Sequence, residues 1–170
     1  MPASLKNFKE NIAHTLIETG SYLGEGISLA LQAGFKQVIS IEIAEKYFQI
    51  CTRRFKNNNK VVLLYGDSSI KLSEAIDLAK GDITFWLDGH WSGADTGKGS
   101  KEVPLVEELE QIKQTKPLIK AIIIDDIWQA ERNEISKERI ESLLLDINDK
   151  MEFSYYLVKD RIQRLTAKVK

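Results

Sequence analysis

LIETGSYLGEGISLAL, residues 16–31, joins an apolar run to a helical segment through a glycine-rich turn. The apolar run ends at Glu18, and Gly20, Gly24 and Gly26 lead into the helix. Glycine permits a tight turn there, and it lets a ligand approach backbone N–H groups at the start of the helix. Nucleotides bind at this position of open α/β sheets, so the stretch predicts a nucleoside-cofactor site. A purely structural strand-to-helix turn is the alternative interpretation.

Length and composition favour one domain, residues 1–170. A chain of 170 residues lies in the usual range for a single domain. Its 43% hydrophobic and 29% charged residues exclude disordered, collagen-like and membrane-spanning classes. Lys and Arg total 24 against 25 for Asp and Glu. This near-neutral balance provides no electrostatic footprint for nucleic acid or an anionic membrane, so we expect neither as a partner.

The cysteine content and the start of the chain predict where the protein resides. The single cysteine, Cys51, cannot form an internal disulfide, and the N-terminal sequence lacks the basic-then-apolar layout of a signal peptide. No apolar run reaches the ~18 residues that a membrane-spanning helix needs. We therefore expect a cytoplasmic protein without a membrane segment.

Short apolar runs alternate with amphipathic stretches along most of the chain, a pattern typical of parallel strands joined by crossover helices. Five strands are predicted, over residues 14–18, 38–42, 61–65, 83–88 and 121–125. Five helices are predicted, over residues 24–33, 44–56, 69–79, 104–116 and 136–148. The strands are almost continuously apolar, which indicates burial on both faces of the sheet.

The two ends and one long connection complete the predicted organisation. Residues 151–170 read as two strands around a short polar turn, which predicts a terminal antiparallel hairpin. Residues 1–13 are expected to form a helical segment. Residues 88–104 form a glycine-rich connection that we expect to be an active-site loop, because connections of this length are usually functional. The prediction is a doubly wound α/β fold with a mostly parallel, seven-stranded sheet and helices on both faces.

One alternative function is a nicotinamide-dependent oxidoreductase. The string Thr19-Gly20-x-x-x-Gly24-x-Gly26 resembles the dinucleotide turn of short-chain dehydrogenases, and Tyr155 and Lys159 match the spacing of their Tyr-x-x-x-Lys pair. That pair requires a helix to bring both side chains onto one face, whereas FSYYLVK reads as a strand. We interpret the match as accidental.

The acidic residues that follow the predicted strands resemble the signature of class I S-adenosylmethionine-dependent methyltransferases, over nearly the whole chain. They are Glu18 in Glu18-Thr19-Gly20, Glu42, Asp67 in Tyr65-Gly66-Asp67-Ser68, and Asp88. The terminal hairpin is also a feature of that fold, so the resemblance implies the strand order 3-2-1-4-5-7-6. The departure from the family is the glycine turn, in which Gly-x-x-x-Gly-x-Gly replaces the commoner Gly-x-Gly-x-Gly.

The resemblance implies S-adenosylmethionine as cofactor. Glu18 and Gly20 would line its methionine end, and Glu42 would hold the ribose, as the position of a carboxylate after the second strand also suggests. Asp67 and Ser68 would flank the adenine. The complete set of expected cofactor-binding residues is Glu18, Thr19, Gly20, Gly24, Gly26, Glu42, Asp67, Ser68 and Asp88.

Three carboxylates end neighbouring strands of the predicted sheet. Asp88 follows the fourth strand, and Asp125 and Asp126 end the fifth, at strands roughly 4.8 Å apart. Like charges this close are costly unless a cation compensates them, and oxygen ligands suit Mg²⁺ or Ca²⁺. The set resembles metal-dependent O-methyltransferases of the catechol or macrolide-sugar type. Alternatively, Asp126 caps a turn and Asp88 only orders the following loop.

His90 is the candidate general base if no metal is bound, because a neutral imidazole accepts a hydroxyl proton near pH 7. The expected catalytic residues are therefore Asp88, His90 and Asp125, and the expected reaction is methyl transfer to a small molecule, preferably to oxygen and alternatively to an amine. A catalytically inactive nucleoside-binding module remains a further alternative. Since few elements are available to cover the pocket, a homo-oligomer is also expected.

Overall fold

The computed structural model describes residues 3–89, 99 and 101–169. Its strands are β1 (Thr15–Thr19), β2 (Gln37–Glu42), β3 (Val61–Tyr65), β4 (Ile83–Leu87), β5 (Ile119–Asp125), β6 (Met151–Val158) and β7 (Arg161–Val169). Its helices are α1 (Leu5–Glu10), α2 (Glu25–Ala33), α3 (Glu45–Phe55), α4 (Ser68–Leu78), α5 (Leu105–Thr115), α6 (Ile127–Arg132) and α7 (Lys137–Ile147). No helix in these described ranges is both long and apolar enough to cross a membrane.

The seven strands form one sheet in the order β3-β2-β1-β4-β5-β7-β6, which confirms the order implied by the resemblance. The first five strands pair in parallel, and β7 runs antiparallel to both β5 and β6. The carboxyl ends of β1, β2 and β4 therefore lie side by side at one edge. This edge is where open α/β sheets bind ligands.

Helices cover both faces of the sheet, as the continuous apolar strands predict. Strands β1 and β4 are buried along their whole length. On one face the core includes apolar residues of α4, α5, α6 and α7, and on the other it includes residues of α1, α2 and α3. Phe8 of α1 packs edge-on against the Trp86 ring, with centroids 5.3 Å apart, so the N-terminal helix belongs to the second core.

The terminal hairpin turns at Lys159 and Asp160, which both have positive φ angles, 49° and 61°. Two consecutive residues of this kind match the twist of paired antiparallel strands. Tyr155 lies within β6 and Lys159 lies in the turn. The two residues therefore do not share a helix face, which confirms that their match to the dehydrogenase pair is accidental.

Helix α6 is an element that the sequence did not predict. It has only six residues and begins directly after Asp126, which has a positive φ of 51°. The indole N–H of Trp128 donates to the Asp126 carboxylate at 3.1 Å. A helix of six residues is too short to show the periodicity from which a helix can be recognised in a sequence.

Candidate functional site

Gly20 joins the ends of three strands at the carboxyl edge of the sheet. Its φ is +88°, and its N–H donates to the Ile41 carbonyl at 2.9 Å. A Cβ at this position would lie 2.9 Å from the carbonyl oxygen of Asp88. Because only glycine combines this backbone angle with this close approach, Gly20 lets β1 and β4 end against each other.

Gly24 and Gly26 make room for the protein's own side chains. A Cβ at Gly24 would lie 2.6 Å from the Phe55 ring of α3, and one at Gly26 would overlap the Glu18 carboxyl group. The sequence interpretation assigned these glycines to the approach of a ligand. In the structure the nearest groups are instead an aromatic ring and a carboxyl group, so the helix start is shaped by packing as well.

Glu18 is a buried carboxyl group near the end of β1, and its side chain lies against Gly26 of α2. It is 3% exposed and accepts a hydrogen bond from Ser40 Oγ at 2.7 Å. Burial raises its pKa to about 8, the Ser40 hydrogen bond opposes this shift, and the charges of Asp88 and Glu42 add to it. Glu18 is therefore mostly protonated at neutral pH and can change its charge when a cationic group binds beside it.

The raised pKa of Glu18 predicts a pH-dependent stability. Between about pH 4.5 and 8 the unfolded chain has released this proton while the folded protein keeps it, so the free energy of unfolding should fall as the pH rises. Glu18→Gln should flatten this decline, measured as urea unfolding midpoints between pH 5 and 8. Glu131→Gln, at an exposed position that does not act on Glu18, is the control and should leave the decline unchanged. Parallel curves for wild type and Glu18→Gln would contradict the assignment.

Glu42 ends β2 with its carboxylate turned towards the glycine-rich turn. Its Oε2 accepts from the Tyr22 N–H and its Oε1 from the Ala44 N–H, both at 2.8 Å. The side chain is 6% exposed and held in one orientation by these two bonds. Each carboxylate oxygen has a second lone pair, so Glu42 retains the capacity to accept from ribose hydroxyls.

Asp67 and Ser68 begin α4 at the end of β3. Asp67 caps the helix, accepting from the Ser69 N–H at 2.9 Å, and Gly99 lies directly against its carboxylate. Tyr65, at the end of β3, is 51% exposed and its ring lies 5.3 Å from that of Phe48. An exposed aromatic ring therefore stands beside the position at which the adenine is expected.

Glu108 is a buried carboxyl group that the sequence interpretation missed. It is 1% exposed, and burial raises its pKa to about 7 although the hydroxyls of Ser68 and Thr19 act in the opposite direction. Its Oε1 has no hydrogen-bond partner within the described part of the chain. The same oxygen, Ser68 Oγ and Thr19 Oγ1 surround Gly89, so Glu108 lies beneath the end of β4.

A sequence signal for Glu108 existed. Leu105, Glu108, Leu109 and Ile112 follow the i, i+3, i+4, i+7 spacing of one helix face, and all four are buried in α5. A carboxyl group on an otherwise apolar stripe is costly, and such groups cluster at functional sites.

The three aspartates predicted as metal ligands lie at the ends of adjacent strands. The Asp88 N–H donates to Thr19 Oγ1 at 3.1 Å. Asp125 accepts from Arg164 Nε at 3.0 Å and from Arg164 Nη2 at 3.1 Å. Asp126 accepts from Trp128 and from Gln163. His90 lies outside the described residues.

This arrangement does not fit a divalent ion. Both carboxylate oxygens of Asp125 are directed at the Arg164 guanidinium, whereas Mg²⁺ and Ca²⁺ require oxygen lone pairs that converge on the ion. Over residues 3–89, 99 and 101–169, no three His, Cys, Asp or Glu side chains are grouped so that they could hold a metal. The Arg164 guanidinium compensates the charge of Asp125, at the position where the sequence analysis predicted a metal ion.

Comparisons with known proteins identify the fold. No family model and no curated protein matches the sequence. Among solved structures, an O-methyltransferase from Bacillus cereus in complex with SAH is similar, with a TM-score of 0.62 and 14% identity over 98% of this chain and 78% of that one. The SAH-bound methyltransferase PaMTH1 of Podospora anserina has a TM-score of 0.62 and 11% identity over 98% and 76% of the two chains.

The methyltransferase domain of bacterial CtHen1 is similar over nearly the whole of both chains. Its TM-score is 0.63 at 13% identity, with 97% of this chain and 94% of that chain covered. At such identities the likeness establishes architecture. This chain shares the α/β fold of these methyltransferase structures.

Proposed function

We propose that the protein transfers a methyl group from S-adenosylmethionine to an oxygen atom of a small molecule. The observation that carries this proposal is the antiparallel β7 inserted between β5 and β6, in a fold shared with methyltransferases whose structures contain SAH. The Bacillus cereus structure is named an O-methyltransferase, which supports oxygen as the acceptor. The nicotinamide alternative loses support because Tyr155 and Lys159 share no helix.

The residues proposed to bind the cofactor surround the ends of β1 to β4. When bound, S-adenosylmethionine supplies a methyl group on an already activated sulfonium. Glu42 would accept from the ribose hydroxyls, and Glu18 and Gly20 would face the methionine end. The remaining residues proposed to bind the cofactor are Thr19, Gly24, Gly26, Asp67, Ser68 and Asp88.

The acceptor would lie beyond the end of β4. An attacking hydroxyl must lose its proton as its oxygen bonds to the methyl group, and Asp88 and His90 are the groups proposed to accept that proton. Asp125 already accepts two hydrogen bonds from Arg164, so its proposed role is to orient this edge of the site. Positioning supplies most of the catalysis, because the methyl donor is reactive by itself.

Calorimetry with S-adenosylhomocysteine, NAD⁺ and NADP⁺ separates the candidate cofactors. We expect S-adenosylhomocysteine to bind and both dinucleotides to release no heat. Preferential binding of a dinucleotide would overturn the proposal in favour of an oxidoreductase.

Transfer of labelled methyl groups to a panel of phenols, sugars and amines then tests activity. Labelling of hydroxyl compounds is expected. Cofactor binding together with silence across the panel would favour the inactive binding module.

A further inference from the structure

Asp125 and Arg164 form a buried ion pair across the sheet. The antiparallel ladder of β5 and β7 places the two residues directly opposite each other. Two parallel N–H···O bonds of 3.0 and 3.1 Å join them, and each residue is about 5–6% exposed. A planar guanidinium matches a carboxylate in this two-point geometry, which a lysine cannot reproduce.

The Arg164 guanidinium also contacts residues outside the ion pair. Its Cζ lies 4.6 Å from the centroid of the Trp86 ring, and Nη1 donates to Asn7 Oδ1 at 2.8 Å. Tyr156 of β6, directly opposite Arg164 in the ladder, has its ring centroid 6.0 Å from Cζ. Contacts from β4, α1 and β6 thus fix Arg164 in the orientation that serves Asp125.

The charges around Asp125 explain why a cation is needed at this position. Asp88 and Asp126 both act on Asp125 as neighbouring negative charges. Among carboxylates this close, a buried positive charge removes part of the repulsion. A metal ion on Asp125 would either place a second positive charge beside the buried Arg164 guanidinium or displace that guanidinium and leave it buried without its partner.

We infer that Arg164 takes at this site the charge-compensating place that a divalent metal ion would hold, so that Asp125 is not a metal ligand. Arg164 is then a positioning residue that fixes the end of β5 beside Asp88, and methyl transfer needs no metal at Asp125. The role in transfer rests on the proposed function, whereas the ion pair and its exclusion of a metal do not.

Electron paramagnetic resonance of Mn²⁺ tests the inference without any methyl-transfer assay, because bound Mn²⁺ loses the sharp signal of the free ion. Wild-type protein at millimolar Mn²⁺ should reduce the free-ion signal no more than Asp125→Asn does. Arg164→Gln should bind Mn²⁺ at least tenfold more tightly than wild type, since it frees the Asp125 carboxylate from its two-point ion pair beside Asp88 and Asp126. Arg164→Lys, which keeps a positive charge, and the exposed Arg161→Gln should behave like wild type. Circular dichroism verifies that each variant is folded.

Each result decides the inference. Binding of Mn²⁺ by wild type that disappears in Asp125→Asn would overturn it, and this comparison holds even if Arg164→Gln does not fold. Binding that persists in Asp125→Asn lies elsewhere and agrees with it. A folded Arg164→Gln protein that binds no Mn²⁺ would also overturn it.

Activity assays on the same proteins test the positioning role. Where transfer is detected, Arg164→Gln should lower kcat at least tenfold with little change in the KM for S-adenosylmethionine, and Arg164→Lys should restore part of kcat. Wild-type rates should be the same with and without EDTA. The inference would be contradicted if EDTA abolished wild-type activity and Mg²⁺ restored it, while the activity of Asp125→Asn did not respond to EDTA.

Discussion

Arg164→Met should lower the free energy of unfolding by about 3–5 kcal/mol, the usual cost of removing one partner from a buried ion pair. The substitution leaves the Asp125 carboxyl group 6% exposed, without its two donors and beside Asp88 and Asp126. Urea unfolding at pH 7.5, where an unpaired Asp125 must either remain charged or bind a proton, measures the effect.

A double substitution provides the control for this effect. Asp125→Leu together with Arg164→Met replaces both charges with apolar groups, and exchanges of this kind are often neutral or stabilising. The double variant should therefore recover most of the stability that the single variant loses. If Arg164→Met lowers the free energy of unfolding by less than about 1 kcal/mol, the Asp125–Arg164 pair is far more solvated than its burial indicates.

Glu42→Gln should weaken the binding of S-adenosylhomocysteine roughly 10–100-fold, because hydrogen bonds to a charged group are worth about 1.5–3 kcal/mol. The amide keeps one acceptor oxygen for the Tyr22 or Ala44 N–H but cannot serve both, so the turn also loses part of its support. Isothermal titration calorimetry measures the change directly.

Glu45→Gln is the matched control for Glu42. It carries the same chemical change three residues further along, at an exposed position that begins α3. Its dissociation constant should remain within twofold of wild type. If Glu42→Gln also stays within this range, the ribose role assigned to Glu42 is wrong.

Local sequence was sufficient for most of the strands and helices, because these elements depend on local patterns. Strands such as β1 and β4 are buried on both faces, and a mostly apolar run suits that environment. The hairpin was readable for the same reason, because two strand-like runs flank a short polar turn. Helix α6 was missed, since six residues after a left-handed Asp126 carry too little periodicity.

The candidate site was only partly accessible to the same reasoning. The residues at strand ends, Glu18, Glu42 and Asp88, could be placed at one edge because parallel strands end together. Glu108 lay on a readable stripe of α5 but far along the chain from the residues it meets. The packing roles of Gly24 and Gly26 were also hidden, because they depend on Phe55 and on the orientation of the Glu18 side chain.

The sequence by itself determined the alternation of strands and helices and the acidic residues at the strand ends, since both follow from residues close together in the chain. Only the tertiary structure decided what compensates Asp125. Arg164 lies 39 residues away, and the register of an antiparallel strand brings it opposite that carboxylate. Shifting that register by one residue would turn Arg164 to the other face of the sheet, so no local pattern could have identified the pair.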